Sequence, residues 1–276
     1  MKMDPKAVDA LRVLSRVLSQ ERRRFVLIGA TVPQIVLDFR ESGGSRETRD
    51  VDAVVEVHGW EDFTRLRERL EQEGFRQGRV AHELWLDDEV RIDLIPFGPS
   101  LIEDDKLSWP YGDSVMTACG FEEALECARD QDVASDLRLP VVSIPGLILT
   151  KVVAYMDRSA ERARDLIDLL YCFERYEQAA GESRRFDHAG IQVEGKTVTY
   201  EEAGAFLLGI EVATLAKPKS LDIVRRFLDM IRDEFAMPLS QILSEEKRLV
   251  DSDERRSVLY RLFRVFGAGL NRTTST

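Results

Sequence analysis

The short apolar runs that read as β-strands lie in the first 146 residues; beyond them nearly every apolar pattern repeats at helical spacing. Phe25-Val26-Leu27-Ile28 is a four-residue apolar run ending at Gly29, and reads as a buried strand. Asp50 to Val57 reads as a second strand. Residues 83–96, ELWLDDEVRIDLIP, read as a β-hairpin turning near Asp87-Asp88. Leu139 to Ile144 reads as another strand, ended by Pro145-Gly146. Helical stripes alternate with these runs. They are Leu11, Leu14, Val17 and Leu18; Val32 to Phe39, with Pro33 in the first turn; Trp60, Phe63, Leu66 and Leu70; and residues 121–130. Beyond them Leu147–Tyr176, Tyr200–Leu215, Ser220–Asp233 and Glu254–Phe266 read as helices, with a short hairpin near 186–199. The pattern predicts an α/β (α+β) chain. A small mixed β-sheet flanked by helices occupies 1–146, and an all-helical domain occupies 147–276. No Pro/Ser-rich linker separates them, so the helical domain is expected to pack on the core.

Composition narrows the function. The 276 residues carry 39 basic and 50 acidic side chains, a net charge of −11, which excludes a general polyanion binder. Any nucleic-acid contact needs a local basic patch or metal-screened carboxylates. No apolar run approaches the roughly 18 residues of a membrane span. The start, MKMDPKAVDALRVLSRVL, is amphipathic and unlike a signal peptide. Cys119, Cys127 and Cys172 lack metal-type spacing, and His58, His82 and His188 form no zinc pattern. Free thiols without an export signal favour the cytoplasm.

The residues that suggest chemistry are Asp50 and Asp52. In a strand, positions i and i+2 face the same way, so their carboxylates repel and call for a counter-charge. Mg²⁺, which takes a few carboxylate oxygens plus waters and phosphates, supplies one. Asp93, between Ile92 and Leu94 in the second hairpin strand, is a third acid. It is read as a metal ligand or as the base that takes a nucleophile's proton. The plain alternatives are two solvated acids on an edge strand and a salt bridge from Asp93 to Arg49 or Arg91. Gly29-Ala30-Thr31, between strand and helix, offers close backbone approach, helix N–H groups and a hydroxyl to a phosphate. It is neither a Walker A loop nor a dinucleotide fingerprint.

Strand, Gly29-Ala30-Thr31 turn, helix, then Thr48-Arg49-Asp50-Val51-Asp52, then Arg91-Ile92-Asp93, together resemble the nucleotidyltransferase superfamily of DNA polymerase β-like fold. The long interval from Gly29 to Asp50 is similar to the AbiEii-type toxin group, although Ala30 stands where that group has a second glycine. Residues 147–170 extend the likeness: Lys151, Arg158, Arg164, Asp165 and Asp168 fit a Lys, Arg, Arg-Asp and Asp pattern. The resemblance covers roughly residues 25–170. It implies a nucleotidyltransferase core over 1–146 that uses Mg²⁺ or Mn²⁺ and moves a nucleoside monophosphate from an NTP to a hydroxyl. The acceptor is RNA, such as a tRNA end, or a protein. The implied setting is a toxin–antitoxin or phage-defence pair with an antitoxin partner. The metal ligands are then Asp50, Asp52 and Asp93. The nucleotide-binding set is Gly29, Ala30, Thr31, Arg49, Lys151, Arg158 and Asp165, with Lys151 also counted as catalytic.

Lys151, Arg158 and Asp165 are seven apart, so an unbroken helix would carry them on one polar stripe; a break near Ser159 would undo that. Arg255, Arg256, Arg261, Arg264 and Arg272 form a late basic cluster, read either as an RNA-facing surface or as a solvated helix face. Trp85 and Trp109 read as core aromatics, with base stacking by Trp109 as the alternative. Two rival functions remain: an inactive nucleotidyltransferase-fold module that binds nucleotide or a partner, and a metal-dependent nuclease. The second lacks its Glu/Gln-x-Lys element, because Leu94-Ile95-Pro96 follows Asp93.

Overall fold

A computed structural model describes residues 3–37, 50–110, 115–180, 187–246 and 252–272. It divides into two compact units, Met1–Ser143 and Ile144–Thr276.

The first unit opens with α1 (Pro5–Gln20). Asp4 caps it, Oδ1 accepting the Lys6 N–H at 2.8 Å, and Pro5 sits in the first turn, where a missing N–H costs nothing. Ala7, Leu11, Leu14 and Leu18 recur at helical spacing and are buried. The helix ends in a Schellman turn: Arg22 adopts φ 54°, and the N–H groups of Arg22 and Arg23 return to Ser19 O and Leu18 O. Next come β1 (Phe25–Ile28), a 3₁₀ turn at Gly29–Thr31, α2 (Val32–Val36), β2 (Asp50–Glu56) and α3 (Trp60–Gln72). β3 (Phe75–Gln77), β4 (Glu83–Leu86) and β5 (Val90–Phe97) follow. A separate small sheet, β6 (Ile102–Glu103), β7 (Lys106–Ser108) and β8 (Val115–Thr117), leads to α4 (Phe121–Glu126), β9 (Arg129–Ala134) and β10 (Leu137–Val141).

The main sheet runs β3-β4-β5-β2-β1-β10-β9. It is mixed: β2 pairs parallel with β5 and β1 with β10, while β1–β2, β3–β4, β4–β5 and β9–β10 are antiparallel. Val51, Ala53, Val55, Leu84, Ile92 and Leu94 are buried on one sheet face. Near the start of α3, Asp62 accepts the His58 N–H at 2.8 Å and both Arg23 Nη groups. The Arg23 hydrogen bonds hold the Asp62 carboxyl well below the usual carboxylate range, although burial opposes them. This contact ties the end of α1 to the start of α3.

The second unit comprises α5 (Ile144–Asp157), α6 (Ala163–Ala180), a hairpin of β11 (Gln192–Val193) and β12 (Lys196–Thr197), α7 (Ala203–Leu215), α8 (Pro218–Asp229), α9 (Met237–Glu246) and α10 (Ser252–Leu270). Its core is a chain of buried rings, Tyr155–Phe227–Phe263–Phe173–Phe266, with successive centroids 4.9–5.8 Å apart. α7 and α10 cross at Gly209 and Gly269. A Cβ on either glycine would overlap the facing backbone, so only glycine permits this approach.

The structure moves several expected boundaries. The 121–130 helix ends at Glu126, and Arg129–Ala134 is a charged edge strand whose polarity hides its pairing. The strand expected over 139–144 is Leu137–Val141. Pro145-Gly146 does not stop it but lies in the first turn of α5, where proline is tolerated. The helix expected from Leu147 to Tyr176 is two helices, broken at residues 158–162. α2 ends at Val36, and Phe39 lies outside the described residues.

Tyr155 hydroxyl donates to Gln241 Oε1 at 2.8 Å, and Gln241 Nε2 donates to Ser159 O at 2.9 Å, which pins the break after α5. Burial pushes the Tyr155 phenol up to about 12. Below about pH 10 the phenol is neutral in both folded and unfolded chains; above it only the unfolded chain releases the proton. Stability contributed by Tyr155 is therefore lost as pH rises from about 10 towards 12. Urea midpoints at pH 9 and pH 11 are expected to fall more for the native chain than for Tyr155→Phe.

Candidate active site

β1 ends at Ile28, which lies opposite Asp52 in the antiparallel pair with β2. Gly29 then adopts φ 80°, a conformation that favours glycine. A Cβ at Gly29 would overlap the Asp52 carboxylate, so this carboxylate rests against the backbone of the turn. In the parallel β2–β5 pair, Asp50 stands opposite Arg91 and Asp52 opposite Asp93. The β4–β5 hairpin adds Glu83 opposite Asp93 and Trp85 opposite Arg91. Facing residues, and residues two apart, share a sheet face. Asp50, Asp52, Glu83, Trp85, Arg91 and Asp93 therefore occupy one face, opposite the buried Val51, Leu84 and Ile92.

Arg91 serves two of these acids. Its Nη2 donates to Asp50 Oδ2 at 3.1 Å, and its Nε lies 3.5 Å from Asp93 Oδ1. The Asp50 side chain is 50% exposed and that of Asp93 20%. Among the described residues, no group of three or more His, Cys, Asp or Glu is gathered as a metal-ligand set. The register brings together the pair Asp52 and Asp93. In the turn, Ala30 is exposed, while Thr31 is 1% exposed and its Oγ1 has no hydrogen-bond partner among the described residues. Arg49 lies outside the described residues.

Glu83 escaped the sequence reading. Burial raises its carboxyl, but hydrogen bonds from Trp85 Nε1 at 2.6 Å and from the Arg79 N–H at 3.1 Å, with the Arg91 charge, outweigh it and hold the group below its ordinary range.

The second unit holds another charged cluster. Lys151 on α5 reaches across to α6, its Nζ lying 2.7 Å from Asp165 Oδ1 and 2.6 Å from Asp168 Oδ2. The Lys151 side chain is 12% exposed and that of Asp165 6%. Burial lowers the ammonium's pKa, but the charges of Asp168 and Asp165 raise it further, and the net shift is upward. Burial and the Asp168 charge push the neighbouring Cys172 thiol up, so it is neutral at pH 7. Arg158 is exposed in the turn after α5 and makes no ion pair among the described residues; Arg162, 3.6 Å from Asp165 Oδ2, stands nearer the cluster. The helix break removes the single stripe expected through 151, 158 and 165.

The model of the nucleotidyl transferase AbiEii toxin family of type IV toxin–antitoxin systems matches residues 12–252. The chain belongs to the AbiEii family. JHP933 from Helicobacter pylori overlays on it with a TM-score of 0.41 and 14% identity, covering 97% of this chain and 94% of that one. A second H. pylori protein, described as a candidate nucleotidyltransferase, gives 0.36 and 14%, covering 97% of each chain. No curated protein matches significantly.

Other expectations for this AbiEii member resolve in the structure. Among the described residues, no helix is long and apolar enough to cross a membrane. The late arginines are not a free basic surface. Arg255 pairs with Glu246 and Glu174, Arg261 with Glu202, and Arg264 with Glu194. Arg256 donates to Glu234 O, and Arg272 lies over the Phe206 ring. Trp109 is 8% exposed and packs among Trp60, Phe63 and His82, as a core aromatic does.

Gly29→Ala is expected to destabilise the chain by at least about 1 kcal/mol from the positive φ alone, read as a urea midpoint. Displacing Asp52 is expected to lower transferase activity further, by about 10²-fold for a shift near 1 Å. Lys151→Met keeps the stem but leaves two carboxylates without their cation. Its expected cost is about 3 kcal/mol in chemical denaturation.

Proposed function

We propose that this chain transfers a nucleoside monophosphate from an NTP to a hydroxyl and releases pyrophosphate. The carrying observation is the in-register pair Asp52–Asp93 on neighbouring parallel strands, with the Asp52 carboxylate seated on Gly29 at the strand-to-helix turn. Mg²⁺ needs only one or two protein carboxylates, taking water and phosphate oxygens for the rest, so this pair fits it. In this reading Asp52 and Asp93 hold Mg²⁺ or Mn²⁺, with Asp50 beside them on the same face. A cation held by Asp52 and Asp93 would neutralise phosphate charge and lower the pKa of an attacking hydroxyl.

The chain's own groups do the rest. The backbone of Gly29-Ala30-Thr31 would face the triphosphate, while the absent side chain at Gly29 makes room for the Asp52 carboxylate. Arg91 restrains Asp50 and Asp93 before substrate arrives. Asp93 is the acid placed to accept the acceptor's proton when it is not a ligand. The family pattern assigns a nucleotide contact to Lys151, which Asp165 and Asp168 hold within the second unit. The acceptor is a hydroxyl of RNA, such as a tRNA end, or of a protein side chain. In this reading the chain has an antitoxin partner and acts in the cytoplasm.

The test incubates the chain with each labelled NTP, Mg²⁺ and total tRNA or cell protein. Label is expected on one acceptor class, reduced about 10²–10³-fold in Asp52→Ala. Nucleotide binding without any label transfer would instead identify an inactive binding module, and shortened RNA would identify a nuclease.

A further inference from the structure

The acid-bearing face also carries an aromatic ring that the proposed chemistry does not use. Trp85 lies opposite Arg91 across the β4–β5 hairpin, and Arg91 lies opposite Asp50 across the parallel pair. The three side chains form one row, next to the row Glu83–Asp93–Asp52. Trp85 is neither buried in the core nor fully exposed. Its indole is held in place: Nε1 donates to Glu83 Oε1 at 2.6 Å. Glu83 is itself locked, its Oε2 accepting the Arg79 N–H at 3.1 Å and its backbone closing the turn through Gly78 and Val80. Gly78 is where a Cβ would overlap the Glu83 side chain, so the turn is shaped around this carboxylate. The other two tryptophans behave differently, since Trp60 and Trp109 pack against each other at a tilt, with centroids 5.4 Å apart.

We infer that Trp85, oriented by Glu83, is a nucleobase platform on the acid-bearing face, and Glu83 is its positioning residue. Base stacking on an aromatic ring is tolerant of sequence and needs no net positive field. That suits a face on which Asp50, Asp52, Glu83 and Asp93 surround one arginine. The base belongs either to the NTP or to an RNA acceptor. The chemistry is the same, and the inference rests on the transferase reading.

Tryptophan fluorescence, titrated with each NTP in Mg²⁺ and separately with a six-nucleotide single-stranded RNA, separates these sources. In the native chain one of the two ligands is expected to quench saturably. Trp85→Phe should abolish most of that quench, with Trp60 and Trp109 still reporting. Trp85→Leu should weaken half-saturation, read by titration calorimetry, by about five- to hundred-fold, the range of one lost base stack. For an NTP platform the loss appears in KM with kcat little changed, and a thermal midpoint within a few degrees of native shows that folding is intact. Glu83→Leu, which frees the indole, should show the same KM-weighted loss. A quench that persists in Trp85→Phe, or half-saturation within twofold of native in Trp85→Leu, overturns the inference. Label transfer by the native chain alongside either result leaves the transferase reading standing. Absence of both transfer and nucleotide binding removes the two together.

Discussion

The parallel pairing of β2 with β5 is the constraint on which the first unit depends. Parallel strands cannot be joined by a tight turn, so the chain must leave the sheet and return. Here α3 and the β3–β4 strands make that journey. The register then decides both faces at once. It buries Val51 and Ala53 beside Ile92 and Leu94, and it sets Asp52 against Asp93. A slip of one residue would drive the carboxylates into the core and the aliphatic side chains into water. Burial therefore enforces the acid pair: the apolar face fixes the register, and the acids follow.

The Lys151 cluster reaches its geometry by another route. Heptad spacing suggested one stripe on one helix. The break after Asp157 instead makes a helical hairpin, so that Lys151 meets Asp165 and Asp168 across two helices. Residue identities carried the association and periodicity did not. Asp165 also lies in the first turn of α6, where the helix dipole favours a carboxylate. A buried lysine between two acids restrains both helices, because removing the lysine leaves two carboxylates without their cation. The cluster thus has structural work independent of any substrate.

Much of this was legible because apolar runs and turn residues report directly on burial. Phe25–Ile28, the Asp50 strand, the α3 stripe and the short 186–199 hairpin show their periods openly. What escaped was either too short or too polar to have a period: β6, β7 and β8 span two or three residues each, and β9 reads RDQDVA. Glu83 escaped for a register reason. A two-residue turn at Asp87-Asp88 would set Glu83 opposite Ile92, on the wrong face. Glu89 instead stays in the loop, its N–H bonded to Leu86 O, and this one extra residue brings Glu83 opposite Asp93. The Gly29–Asp52 contact was hidden for the same kind of reason, since it joins residues on different strands. The glycine was visible; the carboxylate that requires it was not.

Charge distribution sharpens what the proposed reaction demands. With a net −11, and with Arg255, Arg261 and Arg264 paired to Glu174, Glu246, Glu202 and Glu194, long-range steering of a polyanion has no evident source among the described residues. A triphosphate approaching Asp52 and Asp93 would be repelled at a distance and can be held only by short-range forces. In the proposed reaction these would be a bound cation, the backbone of the Gly29-Ala30-Thr31 turn, and stacking on the Trp85 ring. Each acts over a few ångströms and depends weakly on ionic strength compared with a basic patch. In the proposed reaction such an acidic face would forgo rapid capture and select substrate at contact, where the strand register has already placed Asp52, Asp93, Glu83 and Trp85.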